Sequence, residues 1–172
     1  MKLATYKDGS RDGQLVVVSR DLSTAHHANG IAGRLQQVLD DWNFLSPQLQ
    51  DLYETLNQGK ARRAFAFDPA QCMAPLPRAP QLVDGSAYLV HAELIMASRK
   101  QKLPDNLGSR PLMYQGCSAP LLGPCEDIAV ASEAQGIDLE MELAVVTGDL
   151  AMGADRAEAG EAIRLVMLMN DI

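Results

Sequence analysis

The chain has 172 residues, a formal net charge of −7 and 47% hydrophobic residues. That length accommodates one domain or two small ones, and the apolar share is enough for a real core. The acidic balance and the lack of a basic patch argue against a nucleic-acid partner. No apolar run reaches the length of a membrane span.

The first eight residues, Met1 to Asp8, contain no apolar segment of the kind a secretory signal needs. Three cysteines, Cys72, Cys117 and Cys125, are an odd number without CxxC spacing. Neither a disulfide framework nor a zinc site is expected from them. Idle thiols in a reducing cytosol fit better, so a cytoplasmic location is expected.

Lys2 to Tyr6 and Gln14 to Ser19 read as two strands. The turn formers Asp8-Gly9-Ser10-Arg11-Asp12-Gly13 lie between them, which predicts a hairpin. Leu15-Val16-Val17-Val18 is an unbroken apolar run, as in a strand covered on both faces. His26 and His27 are adjacent and share no face in a helix or a strand, so they read as loop or helix-entry residues. A first helix is predicted from about Ile31 to Trp42. A second follows, with Ser46 as N-cap, Pro47 at its first position and Gly59 as its stop. Residues 64–67 read as a short strand.

Met73 to Pro80 holds three prolines in eight residues and marks a domain boundary. The expected fold class is therefore α+β: a small N-terminal α+β domain over residues 1–72, then a second domain over 73–172. In Ser86 to Ser98, period two would set His91 and Glu93 on one face beside Leu89 and Ile95. Residues 100–123 read as a long loop containing Tyr114-Gln115-Gly116. Ile128 to Ala131 reads as a short strand. Asp155-x-x-Glu158 is a capping signature opening a short helix, and Leu165 to Asp171 is an apolar final strand ending in a carboxylate.

The densest chemistry is in Gly136 to Asp149. Read as a strand, it places Ile137, Leu139, Met141 and Leu143 on one face and Asp138, Glu140 and Glu142 on the other. Such a stripe is either a solvated face or a site for a hard divalent cation. Alternate strand residues lie about 6.5–7 Å apart, and carboxylates so placed repel unless a cation joins them.

Four segments occur in order: Met73-Ala74-Pro75-Leu76-Pro77-Arg78, Pro111-Leu112-Met113-Tyr114-Gln115-Gly116, Gly136 to Val146 with its E-x-E, and Met169-Asn170-Asp171. Together they resemble the fumarylacetoacetate hydrolase family across essentially the whole chain. The resemblance implies a small N-terminal domain followed by a mixed β-roll catalytic domain. It implies a divalent metal, Mg²⁺ with Ca²⁺ or Mn²⁺ as alternatives, held by Glu140, Glu142 and Asp171, with Glu93 as a further candidate ligand. It assigns Tyr114 to the substrate and makes His91 the candidate base. Family members continue beyond the N-D segment, so the catalytic domain, and with it the β-roll, is expected to be partial.

The activity implied is metal-dependent hydrolysis of a C–C bond in a β-diketo acid through a stabilised enolate, with a keto acid as small-molecule substrate and a homodimer as the assembly. One alternative is a non-catalytic fragment that acts as a folded or oligomerising module. Another is a decarboxylase, isomerase or hydratase of the same superfamily.

Overall fold

The computed structural model describes residues 1–86, 88–116 and 121–172. Cys117, noted above, lies outside the described residues. The protein is α+β, and its chain divides into two compact units: Met1–Leu76 with Leu122–Ile172, and Pro77–Leu121.

The first unit begins with four antiparallel strands in the order β1-β2-β3-β4: β1 (Lys2–Tyr6), β2 (Gln14–Val18), β3 (Thr24–His27) and β4 (Phe65–Ala66). β1 and β2 form the predicted hairpin, from Lys2 opposite Val18 to Tyr6 opposite Gln14. Its turn needs Gly13, at φ +60°, where a Cβ would come within 2.5 Å of the Tyr6 carbonyl oxygen. Leu15, Val16, Val17 and Val18 are all buried, because β2 is covered on both faces. Leu15 and Val17 join Leu35, Val38, Leu49, Tyr53 and Leu56 in one cluster. Val16 and Val18 pack on the opposite side with Tyr6, Ala25 and Cys72.

Two helices cover the Leu15 and Val17 face, α1 (Leu35–Asp40) and α2 (Trp42–Asn57). The first starts four residues later than predicted. The second starts five residues before Pro47, so the Ser46-Pro47 signature does not mark its beginning. Trp42 and Leu45 pack against the core, and this packing outweighs the single hydrogen bond that exposed Pro47 cannot donate. Gly59 ends α2 as predicted, at φ +69°. Its N–H donates to Leu56 O at 3.0 Å, and that of Lys60 donates to Thr55 O at 3.1 Å, a Schellman closure. The two histidines lie in β3 rather than in a loop, with His27 opposite Val16 and His26 opposite Val17. The two ring nitrogens of His26 approach the backbone oxygens of His27 and Arg62 at 2.7 and 2.8 Å.

The second unit holds β5 (Leu82–Ser86), α3 (Leu89–Ser98) and β6 (Leu112–Gly116), with β5 and β6 paired antiparallel. Two expectations are corrected here. The apolar segment containing His91 and Glu93 is a helix, consistent with its Leu, Ala, Glu and Met content. The long loop contains a strand, and Tyr114 sits in it opposite Asp84.

The chain re-enters the first unit at Leu122. The strand expected at Ile128 to Ala131 is irregular backbone, with Ile128 and Val130 exposed and no neighbouring strand to pair with among the described residues. A long two-stranded ribbon then closes the unit, formed by β7 (Glu140–Thr147) and β8 (Ile163–Asp171). The short helix α4 (Arg156–Glu161) precedes β8 and carries the predicted capping box. Asp155 Oδ1 accepts from the N–H groups of Ala157 and Glu158 at 2.8 and 2.9 Å, and Glu158 Oε2 accepts from the Asp155 N–H at 2.8 Å.

Candidate metal centre

The ribbon's register decides which side chains share a face. Glu140 lies opposite Asp171, Glu142 opposite Met169, Ala144 opposite Met167 and Val146 opposite Leu165. Directly opposed residues in an antiparallel pair project to the same side, with Cα atoms about 4.5–5.5 Å apart. One face therefore carries Glu140, Glu142 and Asp171 together at one end and an apolar set at the other. The period-two reading of β7 holds, but Ile137, Asp138 and Leu139 precede the strand.

The burial of the two faces is the reverse of a simple solvated stripe. Glu140, Glu142 and Asp171 are all half-buried. The opposite face is exposed, with Met141 at 77% and Leu168 at 82%. The acidic face is the inner one because its apolar end docks on the core: Leu165 packs against the main cluster. Leu165 and Met167 also line an apolar cavity of about 260 Å³ with Leu3, Val18 and Phe67. The register shifts between Val146 and Thr147, which leaves Arg164 as the extra residue of a bulge. The Arg164 guanidinium carbon lies 5.9 Å from the Trp42 ring centroid, within cation–π range. Docking and bulge together turn the carboxylates inward.

Three carboxylates of this kind suit a hard divalent cation, which prefers oxygen ligands. The fit is one of donor type and strand register. Among the described residues, no three Asp, Glu, His or Cys side chains stand close enough to hold an ion as placed. The side chains of Glu140, Glu142 and Asp171 would have to rotate toward one another to do so.

The other candidates, Tyr114, His91 and Glu93, lie in the second unit. His91 and Glu93 are two apart on α3, which sets them about 200° apart around the helix. The shared face expected for them does not exist: His91 is half-buried and Glu93 exposed. Tyr114 is exposed on β6, and Asp84, its cross-strand partner, is half-buried. Sequence reasoning passed over Asp84. Its only signal is an acid in a short strand beside Val83, legible once the pairing with Tyr114 is known.

Residues 1–78 match the family model described as "Fumarylacetoacetase N-terminal domain 2". Residues 82–172 match that described as "Fumarylacetoacetate (FAA) hydrolase C-terminal". The chain belongs to the fumarylacetoacetate hydrolase family. Among curated relatives, it is 29% identical over 153 residues to "Oxaloacetate tautomerase FAHD2B, mitochondrial" of Bos taurus, a match covering 81% of this chain and 46% of that protein. The chain thus spans about half the length of this relative. The family's C-terminal match contains the whole acidic ribbon, both Glu140 and Glu142 on β7 and Asp171 on β8. It also covers α3 and β6, which carry His91, Glu93 and Tyr114.

Proposed function

We propose that this chain provides the carboxylate site of a divalent-metal-dependent enzyme acting on a β-diketo acid, with hydrolysis of a C–C bond as its reaction. The observation that carries this reading is the placement of Glu140, Glu142 and Asp171 on one half-buried face of a ribbon inside a family-matched segment. These three residues would hold the cation, Mg²⁺ first and Ca²⁺ or Mn²⁺ otherwise. A bound cation supplies Lewis acidity toward the substrate's carbonyl oxygens. Tyr114 would donate its phenolic proton in a hydrogen bond to the substrate. His91 would take the proton from the attacking water. The proposed location is cytoplasmic; among the described residues, no helix is long and apolar enough to cross a membrane.

A keto–enol isomerisation is the second reading, favoured by the tautomerase name of the bovine relative. It requires the same proton-transfer group and no attacking water. A third reading, a folded module that only associates with itself as a homodimer, is favoured by the exposed apolar face of the ribbon.

The test is an assay of the purified chain with an acylpyruvate and with oxaloacetate, with and without added Mg²⁺ or Mn²⁺. Cleavage products from the acylpyruvate, dependent on the ion and reduced roughly 100-fold or more by Glu140→Ala, support the hydrolase. Loss of the enol absorbance of oxaloacetate without cleavage of either compound supports the isomerase instead. No turnover of either compound with any ion contradicts both and leaves the self-associating module.

A further inference from the structure

A turn beside the N-terminal sheet sets two cysteine-bearing segments from distant parts of the chain against each other. Residues 71–73 run antiparallel along the free side of β1. The Lys7 N–H donates to Gln71 O at 2.8 Å, the Met73 N–H donates to Thr5 O at 2.8 Å, and Tyr6 bridges to Cys72. Residues 123–126 form a turn beside this segment, with the Glu126 N–H donating to Gly123 O at 3.2 Å.

Each end of the turn is fastened. A Cβ on Gly123 would meet Cys72 O at 2.5 Å, so the backbone at 123 lies directly against the backbone of Cys72. Glu126 Oε1 pairs with Lys7 Nζ at 3.1 Å, and Glu126 Oε2 accepts from the Gly123 N–H at 2.8 Å. The hydrogen bond from Gly123, and then the Lys7 ammonium, hold the Glu126 carboxyl below its usual range. Cys125 sits inside the turn, between these two fastenings. It is exposed, Cys72 is buried, and both are free thiols. Burial first, and then the Cys125 thiol, raise the Cys72 thiol above its usual range.

We propose that Cys72 and Cys125 close into a disulfide when the protein meets a small disulfide oxidant, stapling the turn at 123–126 to the end of the N-terminal sheet. The exposed Cys125 thiolate attacks one sulfur of the oxidant and expels the other as a thiolate, which leaves a mixed disulfide. The Cys72 thiolate then attacks Cys125 Sγ and expels the second small thiol. The two thiols together give up two electrons and two protons, and the oxidant is reduced to two thiols. The order follows from burial, which pushes the Cys72 thiol up to about 11, so the exposed partner reacts first. The ring so closed contains about fifty residues, including all of the second unit, and both places where the chain passes between the two units lie inside it.

The test is incubation of the full chain with oxidised glutathione, followed by non-reducing peptide mapping and thermal unfolding. The proposal predicts a peptide linking Cys72 to Cys125. It also predicts a rise of about 5–10 °C in the unfolding midpoint, reversed by dithiothreitol and absent in Cys125→Ser. That variant alters an exposed side chain and keeps the fold. Ring closure should quicken about tenfold per pH unit while Cys72 deprotonation limits it. A linkage through Cys117, a stable glutathione adduct on Cys125, or a linked pair with no rise in midpoint would each overturn the proposal.

Discussion

Asp21 takes three hydrogen bonds in a tight turn, from Ser19 Oγ at 2.6 Å, Ser23 Oγ at 2.8 Å and the Ser23 N–H at 3.1 Å. These bonds, that of Ser19 foremost, hold its carboxyl at about 2. A carboxyl depressed in the folded state stabilises the fold above its unfolded value, and that contribution is lost as pH falls through the folded value. Asp21→Asn should therefore lower the unfolding midpoint relative to the parent at pH 5, and the gap should narrow between about pH 4 and pH 2; a gap unchanged across that range would contradict the assignment. Leu15 is fully buried between the sheet and α2. Leu15→Ala should cost about 2–5 kcal/mol in denaturant unfolding. At this scale the shared strand face of Glu140 and Glu142 was legible from their period-two spacing. The environments of His91 and Glu93 were not, because an embedded polar residue looks the same in a strand and in a helix.

At the scale of elements, local signals succeeded where they carried geometry. The D-x-x-E signature at Asp155 became a capping box, and Asp155→Ala should remove two accepted backbone hydrogen bonds at a cost of about 1 kcal/mol, measurable as a lower midpoint in chemical unfolding. Gly59 ended α2 because the closure needs positive φ. Signals failed where tertiary contacts outweighed them. Trp42 and Leu45 drew the start of α2 ahead of Ser46, and α3 carries apolar residues all around its axis, so no period could distinguish helix from strand. The ribbon is the instructive case. Its alternation was plain, but which face turned inward depended on Leu165 reaching the core and on the bulge at Arg164. Neither is visible from β7 alone.

At the scale of the whole molecule, the exposed ribbon face is an apolar surface. Met141, Leu143, Val145, Val166 and Leu168 stand side by side with no charge among them, a patch of the kind that drives association. If a homodimer uses this face, Leu143→Lys with Leu168→Lys should shift sedimentation toward the monomer and leave the circular dichroism of the fold unchanged. Unaltered sedimentation would place any association elsewhere. The α+β class was legible from the hairpin and the helix punctuation. The inclusion of residues 122–172 in the same compact unit as the N-terminal sheet was not, because that contact is made by segments far apart in sequence. The central claim is the carboxylate site. Calorimetric titration of the chain with Mg²⁺, Mn²⁺ and Ca²⁺, alongside Glu140→Ala, tests it most directly. Saturable micromolar-to-millimolar binding that disappears in the variant is the predicted result. No binding in the parent, or equal affinity in the variant, would contradict it.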